Sequence, residues 1–395
     1  MPANQFPKDF ADAVCSELRR RASFCPQRDI LVDLFESMYF ASLKTEESQP
    51  IVFHIAYLDP HNPDPDPPAR IVKDRWSSVK LAQAIPATIP NLIKIAKASD
   101  PRTSSLAVYP DRHGHLTVWG LVDQGNRYHD FVNYEDESGP ERPGIFQASI
   151  AGIGHLVAYR GLWKIAELKT NTILRHALNV LEGGPVLETL GTGIQSYIEG
   201  VKREIPEYMY GDRPHWDSSL SSYWIASLCR LLLRVQNYRH GGAILITPDN
   251  SFAGLNIKYQ INYSRLKAAL HTHALAKIGE TFASDKIFEN YLDRNFVDIP
   301  VDLYLDETVS NNELSENRNE LDGTIWFISL LTKVDGLVLM SPTLEVKGFG
   351  VEITYSHEPL EVFIAQNRDG TKAGLRRVDY NHYGTRHRSM MRYCA

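Results

Sequence analysis

Residues 204–215, EIPEYMYGDRPH, carry two prolines and a glycine, and no long helix or strand can run through that combination. The break predicts two domains: residues 1–205, a linker at 206–215, and residues 216–395. A chain of 395 residues is long enough for each half to bury its own core. Hydrophobic residues make up 43% and charged residues 23%. No apolar run approaches the ~20 residues a membrane helix needs, so no membrane partner is expected. The N-terminus, MPANQFPKDFADAV, places Asp and Pro where an export signal needs a basic start and an apolar stretch, which predicts a cytoplasmic protein.

Cys15, Cys25, Cys229 and Cys394 show no CxxC pairing, so neither a zinc ribbon nor a disulfide framework is predicted and reduced thiols are expected. A formal net charge of −6 argues against a nucleic-acid partner, whose phosphate backbone calls for clustered Lys and Arg. The last 25 residues differ. There Lys372, Arg376, Arg377, Arg386, Arg388 and Arg392 face one acid, Asp379, an excess of five positive charges suited to a compact polyanion such as ATP.

The fold class expected is α/β with two domains. In the first, Leu31, Leu34, Phe35 and Met38 recur at helical spacing around 28–45, and Ile51 to Tyr57 predicts a strand. PHNPDPDPP (60–68) predicts an exposed loop, and Leu106–Tyr109 with Leu116–Val122 a hairpin across PDRHGH. Residues 145–168 continue as strands, giving a sheet built largely from sequential strands, and 173–203 are expected to be helical except at Gly-Gly-Pro 183–185.

In the second domain, Trp216, Leu220, Tyr223, Trp224, Ser227, Leu228, Leu231, Leu232 and Val235 trace one apolar helix face. GGAILITPD (241–249) predicts a buried strand. Asp322 is expected to cap a helix, stapled by Leu321 and Trp326 and ending near Lys333. The stretch 334–353 predicts two strands joined by a turn at Ser-Pro. Asp335 and Gly336 then stand where a strand follows a helix, a place where α/β folds put ligand chemistry.

The stretch YGTRHRSMMRYC (383–394) concentrates donors. Gly384 lets a backbone approach a ligand, Thr385 and Ser389 supply hydroxyls, and Arg386 and Arg388 supply forks that match phosphate oxygens. His387 can donate to phosphate or ligate a metal. A helix beginning at Ser389 would add free backbone amides. Taken separately, Asp-Gly is ordinarily a turn and GTRHRS a basic surface strip.

Taken together and in this order, DG at 335–336 and GTRHR at 384–388 resemble the paired signature of diadenylate cyclase domains. HGGAILITPD resembles the first core strand of that family and LNIKYQINYSRL (255–266) the segment after it, so the resemblance spans roughly 216–395. The usual DGA is DGL here, and Met390 stands where a smaller residue is common. Family domains continue through a helix and a strand beyond the point corresponding to Ala395, which sets up the expectation of impaired turnover. WGLVDQG (119–125) and NLIKIAKASDPRTSSLAVY (91–109) resemble the predicted sensor domain, of the DACNV type, that precedes some such cyclases.

The resemblance implies a mixed sheet flanked by helices, the diadenylate cyclase fold, and condensation of two ATP into cyclic di-AMP with release of two pyrophosphates. It also implies Mg²⁺ or Mn²⁺ at Asp335 and His387, with these two residues catalytic. Gly336, Leu337, Gly384, Thr385, Arg386, Arg388 and Ser389 would bind substrate. The partners implied are ATP, a second copy with cyclase domains face to face, and a sensor ligand of unknown identity. Two other classes remain: a nucleotide-binding signalling module without turnover, and a structural partner protein. His113/His115 and His271/His273 have HxH spacing but no evident third ligand, so solvated histidines are expected, and GTG at 191–193 is expected to break a helix. Trp119 and Trp163 are expected in the N-terminal core.

Overall fold

Two amphipathic helices open the chain, α1 (Pro7–Arg20) and α2 (Arg28–Ser42). On α2 Leu31, Leu34, Phe35 and Met38 are fully buried, each worth about 1.5–3 kcal/mol of transfer free energy. The computed structural model describes residues 5–63, 76–100, 103–124, 145–161, 163–175, 180–181, 183–210, 215–238, 241–247, 252–294, 298–365, 370–371 and 375–394. Residues 64–68 of the proline-rich loop, Pro248-Asp249 and Lys372 lie outside them.

The chain divides into units 1–177 and 178–395. In the first, a two-residue ladder of β1 (Thr45–Glu46) and β2 (Gln49–Pro50) precedes an eight-stranded sheet. Its strands are β3 (His54–Tyr57), β4 (Ser77–Pro86), β5 (Ser104–Pro110), β6 (Leu116–Asp123), β7 (Phe146–Gly152), β8 (His155–Arg160), β9 (Trp163–Lys169) and β10 (Thr172–Arg175), in spatial order β10-β9-β8-β7-β3-β5-β6-β4. β3 and β5 are parallel, and the other neighbours antiparallel. The expected hairpin is β5–β6; Asp111 Oδ1 accepts from the backbone of His113 and His115 at 2.8 and 2.9 Å and so fixes its turn. β7 to β9 form the expected run of sequential strands, and β10 adds one that was not expected.

One face of this sheet packs Phe53, Ile55, Leu106, Val108, Ile150 and Leu168 against α1, α2 and α3 (Ile89–Ala96). The other carries Ala56, Leu58, Ala107, Trp119 and Val122, with Trp119 Nε1 donating to Leu58 O at 2.8 Å. Trp163 packs against the first cluster beneath the Arg21 guanidinium, 3.8 Å from its ring centre.

The second unit begins earlier than the proline-rich break suggests. Residues 172–175 are strand β10, not helix, and Gly-Gly-Pro starts a helix instead of interrupting one: α4 (Pro185–Glu204) has Gly184 before it at φ 85° and Pro185 as its first residue. Leu190, Ile194, Ile198 and Val201 of α4 are buried in the second unit's core, so the helix belongs there and not to the first domain. GTG does not break α4: Gly193 faces the Pro342 carbonyl, where a Cβ would lie 2.0 Å from the oxygen.

After the short α5 (Glu207–Tyr210), α6 (His215–Asn237) buries Trp216, Leu220, Trp224, Ser227, Leu228, Leu231 and Val235, while Leu232 is exposed. A four-stranded mixed sheet follows, ordered β11 (Ile244–Ile246), β13 (Leu337–Met340), β14 (Val346–Ile353) and β12 (Leu255–Tyr263). β11 and β13 are parallel; β14 runs antiparallel to both its neighbours. Period-two alternation sends Val338 and Met340 into the helical core and Leu337 and Leu339 to a second cluster on the opposite face.

Between β12 and β13 the chain makes two long helices that pack along each other, α7 (Arg265–Ile287), extended by a π-helical turn at Phe288–Leu292, and α8 (Val301–Leu331). Asp322 therefore sits inside a 31-residue helix, not at its start. It pairs with the buried Arg230 of α6, and Trp326 is exposed, so no staple forms. The helix ends near Lys333 as expected, and β13–β14 is the expected strand pair. The chain closes with the pair β15 (Val362–Ala365) and β16 (Leu375–Val378), a 3-10 turn at Tyr380–His382, and α9 (Thr385–Cys394). The fold is mixed α/β, and no helix among the described residues is long and apolar enough to cross a membrane.

Candidate functional site

α8 ends at Leu331 and β13 starts at Leu337, so Asp335 and Gly336 occupy the turn that feeds the sheet. Gly336 has φ 112°, and a Cβ there would lie 2.5 Å from Gly350 C and 2.7 Å from Val351 N. Only glycine lets this turn close against β14. Gly350, at φ 62°, lies on the other side of the same contact.

The second motif reaches the same place from fifty residues away. α9 begins at Thr385, not at Ser389, so its unbonded amides belong to the first-turn residues of the motif itself. Met390 and Tyr393 pack onto Leu245, Leu337, Leu339 and Val351, which seats α9 on the sheet face opposite the helical core. A pocket of about 470 Å³ lies between them. Asp335, Gly336, Leu337, Thr385, Arg386 and Ser389 all line it, together with Ala243, Met390, Lys258, the Val351–Ile353 end of β14 and Thr354 after it.

Arg386 ties the two motifs together. Its Nη1 donates to the Gly241 carbonyl, and its Nη2 stands 3.6 Å from Asp335 Oδ1. The Asp335 carboxylate is otherwise open, with 96% of its side chain exposed. A Cβ on Gly241 would come 3.0 Å from Arg386 Nη1, so the glycine pair after His240 makes room for this guanidinium and, at Gly242, for Val235 and Thr332. Across the pocket Lys258 Nζ meets Glu352 Oε1 at 2.7 Å, and Asn256 Nδ2 donates to Glu352 Oε2 at 3.3 Å. The Lys258 hydrogen bond holds the Glu352 carboxyl below its usual range, and Glu352, followed by more distant Asp335, raises the Lys258 ammonium.

Three predicted residues are not on the pocket wall. Gly384 precedes α9 and accepts from Arg388 N at 3.1 Å. Arg388 is half-buried, with an Nε that is shielded and has no hydrogen-bond partner among the described residues. His387 is exposed, its ring 6.1 Å from that of Tyr383. Sequence reasoning missed Lys258 and Glu352; the signal was their place on facing strands, legible only once the β12–β14 register is known. The basic surplus of the C-terminal segment is partly neutralised, because Arg377 pairs with Glu361 and Arg392 with Glu358, each at 3.2 Å.

Among the described residues no group of three or more His, Cys, Asp or Glu gathers as a metal cage. His271 pairs with Glu204 at 3.1 Å, and His273 is buried beside Tyr223 instead of solvated. A hard divalent cation needs no such cage when phosphates supply most of its oxygens. Asp335 presents an open carboxylate of the type that fits such a cation on the pocket wall, whereas His387 is not among the residues that line the pocket. Neither a curated protein nor a solved structure matches the chain. Residues 20–123, which run from the end of α1 to the end of β6, match the family described as "Probable sensor domain DACNV".

Proposed function

We propose that the second unit is a diadenylate cyclase domain, condensing two ATP into cyclic di-AMP under the control of the N-terminal unit. The observation that carries this reading is the convergence of Asp335, Gly336 and Leu337 with Thr385, Arg386 and Ser389 on one pocket. The match of residues 20–123 to a sensor domain typically linked to such cyclases supports it independently.

In this reading the triphosphate lies along the first turn of α9, where free amides, the Thr385 and Ser389 hydroxyls and the Arg386 fork supply donors. Arg386 then leaves Asp335 and Gly241 for phosphate, freeing the Asp335 carboxylate to orient the ribose 3′-hydroxyl and accept its proton. The nucleoside packs near Gly336, Leu337 and Met390. Asp335 and the phosphates would hold Mg²⁺ or Mn²⁺, whose chemistry here is to neutralise charge at the transferring α-phosphate. One pocket holds one nucleotide, so the two reacting ATP molecules come from two copies set face to face.

The test is incubation of the full chain with ATP and Mg²⁺ or Mn²⁺, with chromatography for cyclic di-AMP, across a dilution series. Product formed with second-order dependence on protein at low concentration supports the reading. ATP binding without any product would favour the nucleotide-binding module instead, and no ATP binding would remove both.

A further inference from the structure

The sequence offers no CxxC, yet the fold brings two of its four thiols together. Cys15 lies on the buried face of α1, and Cys25 lies in the segment that leads into α2. The chain reverses between them at Ala22, whose φ of 48° is left-handed, while Ala22 N donates to Arg19 O at 3.0 Å and Ser23 N to Leu18 O at 2.9 Å. Residues 23–26 thereby run back along α1 and set Cys25 Sγ 3.4 Å from Cys15 Sγ.

This return strand is pinned on both sides. Arg160 Nη1 donates to Phe24 O at 2.8 Å, and Arg28 forks onto Asp12 of α1 at 2.5 and 3.0 Å. Pro26 is buried and accepts from Cys25 Sγ at 3.2 Å. The sulfurs thus need close by only roughly 1.4 Å to reach a bonded distance of about 2.05 Å. They also differ in access: Cys15 is buried, and Cys25 is partly open to solvent.

We propose that Cys15 and Cys25 form a redox site of the N-terminal unit, a dithiol that hydroperoxides convert to an intramolecular disulfide. Cys25 is the point of entry. Its sulfur attacks the outer oxygen of the hydroperoxide, the O–O bond breaks, and Cys25 becomes a sulfenic acid as the oxidant leaves as water or an alcohol. Cys15 then attacks Cys25 Sγ; the S–S bond forms, the S–O bond breaks, and the hydroxide leaves as water with the Cys15 proton. Two thiols and one ROOH become one disulfide, ROH and water. Burial pushes the Cys15 thiol up to about 12, so Cys15 stays protonated and unreactive until the neighbouring sulfur is activated. The residues matched as a sensor domain include Cys25, and the site gives that domain an input of defined chemistry.

The experiment treats the full, reduced chain with hydrogen peroxide, unfolds it, alkylates the remaining thiols and measures intact and tryptic masses. The expected result is a loss of two hydrogens, alkylation at Cys229 and Cys394 only, and a disulfide linking peptides 9–19 and 22–28. Dithiothreitol restores four alkylated thiols. In Cys25→Ser, which replaces the more accessible partner and leaves the packed face of α1 intact, Cys15 stays alkylatable after peroxide. Four alkylatable thiols in the treated wild type, a sulfinic acid at Cys25 without the bridge, or disulfides only through the exposed Cys394 would each overturn the proposal.

Discussion

Gly336→Ala tests whether the turn that carries Asp335 is held by backbone contact. The added methyl would sit 2.5 Å from Gly350 C and 2.7 Å from Val351 N, both backbone atoms of β14, so no side chain can swing aside. The φ of 112° adds backbone strain of about 1–3 kcal/mol for any residue with a Cβ. Relief means opening the ladder at its first pair, Leu337 with Val351, which forfeits about 1 kcal/mol for each hydrogen bond lost. The sum is about 2–5 kcal/mol. For a unit of this size that corresponds to a fall of about 4–20 °C in melting temperature. The contrast is Gly384→Ala, where the Cβ meets nothing within 4 Å and the fold is expected to be unchanged. Thermal unfolding of both variants, followed by near-ultraviolet circular dichroism, checks the pair. A Gly336→Ala protein that melts within 2 °C of the parent would refute the close-contact reasoning.

Asp335→Asn is expected to abolish cyclic di-AMP formation while ATP affinity, read by calorimetry, stays within about threefold, because the phosphate donors remain. Arg386→Ala is expected to weaken ATP binding about 10- to 100-fold, the loss of a charge-assisted fork, whereas His387→Ala, off the pocket wall, changes affinity by less than threefold; equal effects in the two would remove the special place of Arg386. His155, with Lys164, holds the Glu167 carboxyl down to about 2. Its stabilisation of the first unit is therefore complete above the unfolded value near 4.5 and is lost as pH falls from there towards 2, about 1–2 kcal/mol after solvent screening. Glu167→Gln should flatten that part of the acid unfolding profile, measured by hydrogen exchange at the backbone amides of β8 and β9.

Local chemistry made much of the architecture legible. The β5–β6 hairpin and the β13–β14 pair follow from alternation and turn residues, and the buried face of α2 follows from its spacing. Errors arose where a local signal has two structural meanings. Gly-Gly-Pro can interrupt a helix or begin one, and only burial of Leu190 and Ile194 in the second core settles that α4 starts there. Asp322 looks like a cap because an acid precedes an apolar stretch; its partner, Arg230, is 92 residues away and invisible to any local rule. Asp335 and Arg386 were legible through motif order. Lys258 and Glu352 were not, since strand register is a long-range property.

The missing side chain at Gly193 gives α4 a consequence beyond packing. With the Pro342 carbonyl seated where a Cβ would be, helix and turn are in direct backbone contact, and neither has room to move towards the other. From Pro342 the line continues through β13, four residues or about 13 Å of hydrogen-bonded strand, to Gly336 and Asp335. Among the described residues α4 is the first helix of the second unit, so a side chain added at Gly193 would press on the turn from which β13 leads back to the pocket.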